Sequence, residues 1–140
     1  MPSSERWRIG LRNQLSEIQR FQDEFAQFAA AKDMETTTIR ELHVVFDELL
    51  SNIVRHAYLD EENHEIEVEI DDSSKSLKIT IEDDGIPFNP LEADKPDTSS
   101  PLEERPIGGL GIHLVLNMVD ELTYKRDGDR NVVVLTKSLE

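Results

Sequence analysis

The spacing of apolar residues along the chain changes period four times, and each change marks a boundary between elements. Trp7 to Leu11 alternate apolar and polar, which predicts a first strand. Ile18, Phe21, Phe25, Phe28 and Ala29 then recur at helical spacing, with Ser16 as the expected N-cap and Ala31 as the expected end. Thr36 to Thr38 open a second helix ending near Tyr58 to Glu61. Its apolar face is Leu42, Val45, Phe46, Leu49, Ile53 and Ala57. From Glu65 the period is two. Ile66, Val68 and Ile70, then Leu77, Ile79 and Ile81, make a hairpin turned by Asp71-Asp72-Ser73-Ser74. Residues 91–107 hold Pro96, Pro101 and Pro106 and fit no single regular element, which suggests a functional lid. A helix with Ile112, Val115, Leu116 and Val119 follows. A hairpin turning at Asp127-Gly128-Asp129 brings in a last buried strand over Val132 to Leu135.

This order of strand, helix, helix, two strands, lid, helix and two strands predicts an α+β fold. The expected architecture is a two-layer sandwich in which a mixed, mainly antiparallel sheet carries its helices on one face. At 140 residues the chain suits one domain, with residues 1–5 a loose tail.

Charge narrows the range of partners. The formal net charge is −15, and residues 60–104 hold 16 acidic against 3 basic side chains, a local sum of −13. Such a surface repels phosphate backbones and anionic lipid, so neither nucleic acid nor membrane is an expected partner. The chain has no cysteine, which removes disulfides, thiolate metal sites and thiol nucleophiles. With no apolar run long enough for a bilayer and no signal peptide in residues 1–10, the expected location is the cytoplasm. His43, His64 and His113 show no metal-ligand spacing with one another, so no zinc site is expected.

Three stretches carry candidate chemistry. In Phe46-Asp47-Glu48-Leu49-Leu50-Ser51-Asn52-Ile53-Val54-Arg55-His56-Ala57-Tyr58, a helix lines up Glu48, Asn52 and His56 at i, i+4 steps on one polar stripe. A carboxylate, a carboxamide and an imidazole in line can serve a hydroxyl, a metal ion and an anionic oxygen; a solvated helix face would look the same. Asp83 falls where the first hairpin ends, and its carboxylate can accept from an exocyclic amine, while Gly85 permits a close turn. Ile86, Pro87 and Phe88 can wall a slot for a flat ring, although an acidic strand end before a turn glycine is also common. Gly108-Gly109-Leu110-Gly111 opens a helix where backbone N–H groups can approach a polyanion. It matches neither the P-loop nor the Rossmann pattern, and a flexible hinge is the other reading.

Taken together, Glu-x-x-x-Asn-x-x-x-His, Asp-x-Gly and Gly-Gly-x-Gly resemble the N, G1 and G2 boxes of the GHKL (Bergerat-fold) ATPases. Within that superfamily the chain is most similar to the RsbW-type anti-sigma factor serine kinases, over roughly Trp7 to Lys137. The resemblance implies roles for particular residues. Asn52 would be the Mg²⁺ ligand on the ATP phosphates and Glu48 the general base toward an attacking hydroxyl. His56, Gly109 and Gly111 would lie near the phosphates, and Asp83 would accept from the adenine amino group beside Gly85. Arg105, in the lid, would neutralise charge on the γ-phosphate. The implied activity is protein serine/threonine kinase with ATP and Mg²⁺, phosphorylating a STAS-type anti-anti-sigma protein, with a sigma factor as second partner and a homodimer as assembly.

Two departures stand out. Pro87 replaces the second glycine of the histidine-kinase G1 box, which agrees with the RsbW group. Arg130-Asn131 replaces the Gly-Thr through which many members enter the last strand, so the adenine contact is expected to differ. The alternative from another class is a nucleotide-sensing binding module with little or no turnover.

Overall fold

A computed structural model describes residues 6–60, 62–72, 75–93 and 111–139. In chain order these form β1 (Arg6–Arg12), α1 (Leu15–Ala31), α2 (Thr36–His56), β2 (Glu65–Asp71), β3 (Ser76–Asp83), α3 (Pro90–Ala93), α4 (Gly111–Met118), β4 (Glu121–Asp127) and β5 (Arg130–Ser138). The strands make one sheet in the order β1-β2-β3-β5-β4. Every described pairing is antiparallel, whereas the order of elements allowed for a mixed sheet.

The period-two segments place their apolar residues on one face of that sheet. Val68 lies opposite Ile81 and Ile70 opposite Ile79, all of them buried. The intervening Glu67, Glu69, Lys78 and Thr80 remain partly or fully exposed on the other face. The helices cover the apolar face, with Phe21 and Phe25 of α1 and Phe46 and Leu49 of α2 fully or almost fully buried in a single core. Phe46 meets Phe21 edge-on at 4.8 Å and Phe25 at 5.0 Å. Trp7 of β1 stacks on Phe28 at 5.1 Å and closes the core from the edge strand. A fully buried phenylalanine contributes on the order of 3–5 kcal/mol relative to alanine. Among the described residues no helix is long and apolar enough to cross a membrane.

Three boundaries and one buried position differ from the sequence expectation. The first helix begins at Leu15, not behind a Ser16 cap; Gln14 is extended there and makes no side-chain cap bond. Glu17 instead accepts from the Arg12 backbone N–H at 3.1 Å and is held by Arg20 Nε at 3.0 Å. The second helix stops at His56, earlier than expected, with Ala57 as its C-cap. The lid segment starts with a short helix, because the Asn89 side chain accepts from Leu91 N–H at 2.9 Å and Pro90 suits a first helical position. Finally, Leu116 is 42% exposed, while Ile112 and Val115 of α4, with Val119 just after it, form the buried stripe. The rest of the predicted lid, from 94 on, lies outside the described residues.

One long-range tie joins the last strand to two of the helices. Lys137 of β5 donates to Glu41 of α2 at 2.7 Å and to the backbone carbonyl of Met118, the last residue of α4. A cation at that carbonyl also complements the C-terminal end of the helix dipole.

Candidate active site

Glu48 and Asn52 sit one turn apart on α2, on the side that faces α4. Asn52 is 2% exposed, and its Nδ2 donates to Glu48 Oε2 at 2.7 Å. A carboxylate can only accept, so this contact fixes the amide with its NH₂ toward Glu48 and its Oδ1 turned away. The first residue of α4, Gly111, comes against the same carboxylate. A Cβ built on Gly111 would lie 2.1 Å from the Glu48 carboxyl carbon and 2.2 and 2.5 Å from its oxygens. A hydrogen is the only substituent that leaves Glu48 in place. The family resemblance implies a phosphate role for Gly111 but not its packing against Glu48, since the two residues lie far apart in the chain.

At the other end, Asp83 closes β3 and is 2% exposed. Its Oδ1 accepts from the Gly85 backbone N–H at 2.8 Å and from Asn131 Nδ2 at 2.9 Å. Burial raises the affinity of this carboxyl for a proton above the ordinary carboxylate range. The bonds from Asn131 and Gly85 oppose that shift, Asp84 adds to it, and Arg126 opposes it. Asn131 lies directly opposite Asp83 in the β3–β5 register and is 1% exposed. Its Nδ2 also donates to the Ile86 carbonyl at 2.7 Å. Its Oδ1 accepts from the Tyr124 hydroxyl at 2.6 Å, the Phe88 N–H at 3.1 Å and Arg126 Nη1 at 3.2 Å. Arg126 further donates to the Gly85 carbonyl at 2.7 Å.

Asn131, Tyr124 and Arg126 therefore form the network that holds Asp83 and its turn. In the sequence Asn131 stands out only as a departure from the family pattern, and the other two do not stand out at all. Their one signal is the alternation of Tyr124 and Arg126 on the strand preceding the last turn.

The turn after β3 is fixed to the end of α2. Ile86 N–H donates to the Ala57 carbonyl at 2.7 Å, and a Cβ on Gly85 would lie 2.2 Å from that same oxygen. Because the obstacle is backbone, Gly85 cannot be replaced without moving the turn. His56, exposed at the end of α2, stacks on Phe88 with ring centroids 5.6 Å apart. It thus stands by the turn, two helical turns from Glu48, or about 12 Å of rise. Arg105 and Gly109 lie outside the described residues. A cavity of about 940 Å³ opens between α1 and α2 and reaches the site residues only at Glu48.

Next to this turn, His64 binds Asp60 through Nε2 at 2.7 Å and Asp84 through Nδ1 at 3.1 Å. The bond to Asp60, chiefly, raises its proton affinity, and Asp84 adds to this. Potential ligand atoms of Asp60, Glu62 and His64 lie within 4.8 Å of one another, but both ring nitrogens are already engaged. The group forms an ion-pair clasp. Tyr58 stacks on the His64 ring at 4.5 Å, and its buried hydroxyl has no hydrogen-bond partner among the described residues. Burial, then the charges of Asp83 and Asp84, push that hydroxyl's ionisation above its ordinary range.

The residues present suit a magnesium nucleotide in three respects. Asn52 turns an amide oxygen away from Glu48, where a hard cation would be served. A buried carboxylate takes its two protein bonds on one oxygen, leaving the other as an acceptor. Gly111 keeps a helix N-terminus free of side chain beside Glu48.

Comparison with known proteins gives a consistent picture. The profile of the histidine kinase-like ATPase domain matches residues 11–137. The serine/threonine-protein kinase BtrW of Bordetella bronchiseptica is 28% identical over 108 residues, 76% of each chain. The serine-protein kinase RsbW of Listeria monocytogenes is 32% identical over 101 residues, 69% of this chain and 64% of its own. The match thus spans just under two thirds of that relative. Among solved structures, the RsbU and RsbW domains of Rv1364c from Mycobacterium tuberculosis superpose with a TM-score of 0.68 at 12% identity. That alignment covers 97% of this chain and 32% of the other. The blue-light activated histidine kinase of Erythrobacter litoralis EL346 gives 0.56 at 22% identity, over 76% of this chain and 32% of its own. These two likenesses are of fold.

Proposed function

The chain belongs to the histidine kinase-like ATPase family, and from that premise we propose that it is an ATP-dependent protein serine/threonine kinase of the anti-sigma type. Its substrate would be a cytoplasmic STAS-type anti-anti-sigma protein, and its second partner a sigma factor. The names of the relatives, serine-protein kinases, support the reaction class. The observation that carries the reading is the Asn52–Glu48 contact at 2.7 Å with Gly111 against it. A protein that only held nucleotide would need the amide but no carboxylate fixed beside it.

Bound Mg²⁺ would supply positive charge to the phosphates, and Asn52 Oδ1 is the atom that would hold it. Glu48 would accept the proton of a seryl or threonyl hydroxyl. The hydroxyl oxygen then bonds to the γ-phosphorus as the bond to the β–γ bridging oxygen breaks, and ADP leaves with that electron pair. Asn52 restrains the Glu48 carboxylate so that it meets the hydroxyl without reorienting. Gly85, Asp83 and the walls at His56 and Phe88 would receive the base, and Gly109 and Gly111 would lie by the phosphates with Arg105. Phosphoryl transfer asks mainly for positioning and charge of this kind.

The test is transfer of γ-phosphate to the cognate STAS protein by wild type and Glu48→Gln. The variant should lose about 10²- to 10⁴-fold in rate while still binding MgATP. Equal rates would remove Glu48 from the role of base. Tight MgATP binding without transfer to any STAS protein or to water would mark a nucleotide-sensing module.

A further inference from the structure

Asn131 uses its whole hydrogen-bonding capacity inside the protein. An amide offers two donors and one oxygen. Here the donors go to Asp83 Oδ1 and the Ile86 carbonyl, and the oxygen receives Tyr124, Phe88 N–H and Arg126. The partners decide the orientation of the amide. Turned by 180°, its oxygen would face two acceptors and its NH₂ three donors. A threonine in this place would have one hydroxyl and could not bridge Asp83, Ile86 and Phe88 together.

From this geometry we propose that Asn131 is a specificity-determining positioning residue that holds Asp83 as a pure acceptor and so selects adenine over guanine. This rests on the reading of the chain as an ATP-binding protein. Asn131 and Gly85 N–H both bind Oδ1, which leaves Oδ2 to meet a ligand. Two donors on a buried carboxylate favour its ionised form, which accepts from an exocyclic amine and repels a carbonyl oxygen. Without Asn131, Oδ1 loses one of its two donors and the carboxylate loses the contact that fixes its orientation, so the preference for an amine over a carbonyl weakens. Arg126 and Tyr124 act one step behind, by holding the amide oxygen.

Calorimetric titration with MgADP and with MgGDP tests this without any need for phosphoryl transfer. Wild type should prefer MgADP strongly. Asn131→Ala should lose about tenfold or more of that preference, because MgADP weakens while MgGDP holds or improves. Asn131→Thr keeps one donor for Asp83 and fits a strand, so its preference should fall between the two. Should the alanine variant fail to fold, the threonine variant decides. A merely structural role would weaken both nucleotides in step, and an unchanged ADP-to-GDP ratio in the folded variants overturns the proposal. Wild type binding neither nucleotide overturns it together with the nucleotide reading, whereas binding without kinase activity removes only the kinase reading.

Discussion

At the strand end of the site, Asp83 is 2% exposed and one oxygen takes two hydrogen bonds, one of them from a fully engaged amide. At the helix end, Glu48 rests between a carboxamide on its own helix and a glycine that opens α4. The first arrangement is held by strand register, since Asn131 faces Asp83 across one pairing and Arg126 across another. The second depends on how closely α4 approaches α2. A register-held group can discriminate between ligands, because it cannot adapt to the wrong one. A carboxylate set between two helices is better suited to meet a hydroxyl brought by another molecule. On the proposed reading, recognition falls to the sheet and chemistry to the helices.

Substitutions at each end should separate these roles. The largest effect after loss of Glu48 itself is expected from Gly111→Ala, whose Cβ must displace the Glu48 carboxylate. Transfer should fall about a hundredfold, as for a misplacement of about 1 Å, while the ratio of MgADP to MgGDP affinity stays at the wild-type value. A changed ratio would show that the two ends are not independent.

Asp83→Asn should do the reverse. MgATP affinity should fall about ten- to a hundredfold, with the transfer rate at saturating MgATP close to wild type. Equal affinity of the wild-type protein for MgATP and MgGTP would break the assignment of recognition to Asp83.

The smallest effect concerns the clasp outside the turn. Asp60 and Asp84 raise the proton affinity of His64 in the folded protein. Its contribution is therefore fully present below the unfolded histidine pKa and is lost as pH rises through the higher folded value. His64→Gln should cost more stability at pH 6 than at pH 8.5, by a small margin since the carboxylates are largely exposed. Thermal melts at the two pH values read this directly. A larger loss at the higher pH would reverse the sign, and a change in the ADP-to-GDP ratio would extend the rigid strand end to the clasp.

Much of this arrangement is legible without coordinates, because it depends on local period. The buried row Leu42, Val45, Phe46, Leu49 and Ile53 follows from helical spacing, and Ile66 to Ile81 from alternation. Glu48 and Asn52 come together because i and i+4 always do on a helix. Helix α2 ends earlier than its spacing predicts because Ile86, from a turn well along the chain, takes the Ala57 carbonyl. Asn131 could be noticed but not interpreted, since its partners come from β3, the turn behind it and β4. The contact of Gly111 with Glu48 depends on how two helices pack, which no spacing in the sequence records.

Strand β5 has a consequence of its own for what can vary. Asn131, Val133, Leu135 and Lys137 share its helix-facing side. The first of them serves Asp83, and the last ties α2 to the end of α4. The six residue steps between them, about 20 Å of extended chain, thus act as a ruler from the strand end of the site to the far end of α4. Insertions at Gly128 would lengthen only the hairpin tip, where a side chain would meet open space. One residue added or removed between Asn131 and Lys137 would turn one of the two anchors to the opposite face. Sequence drift in this part of the molecule should therefore change the length of the turn freely while keeping the count from Asn131 to Lys137 constant.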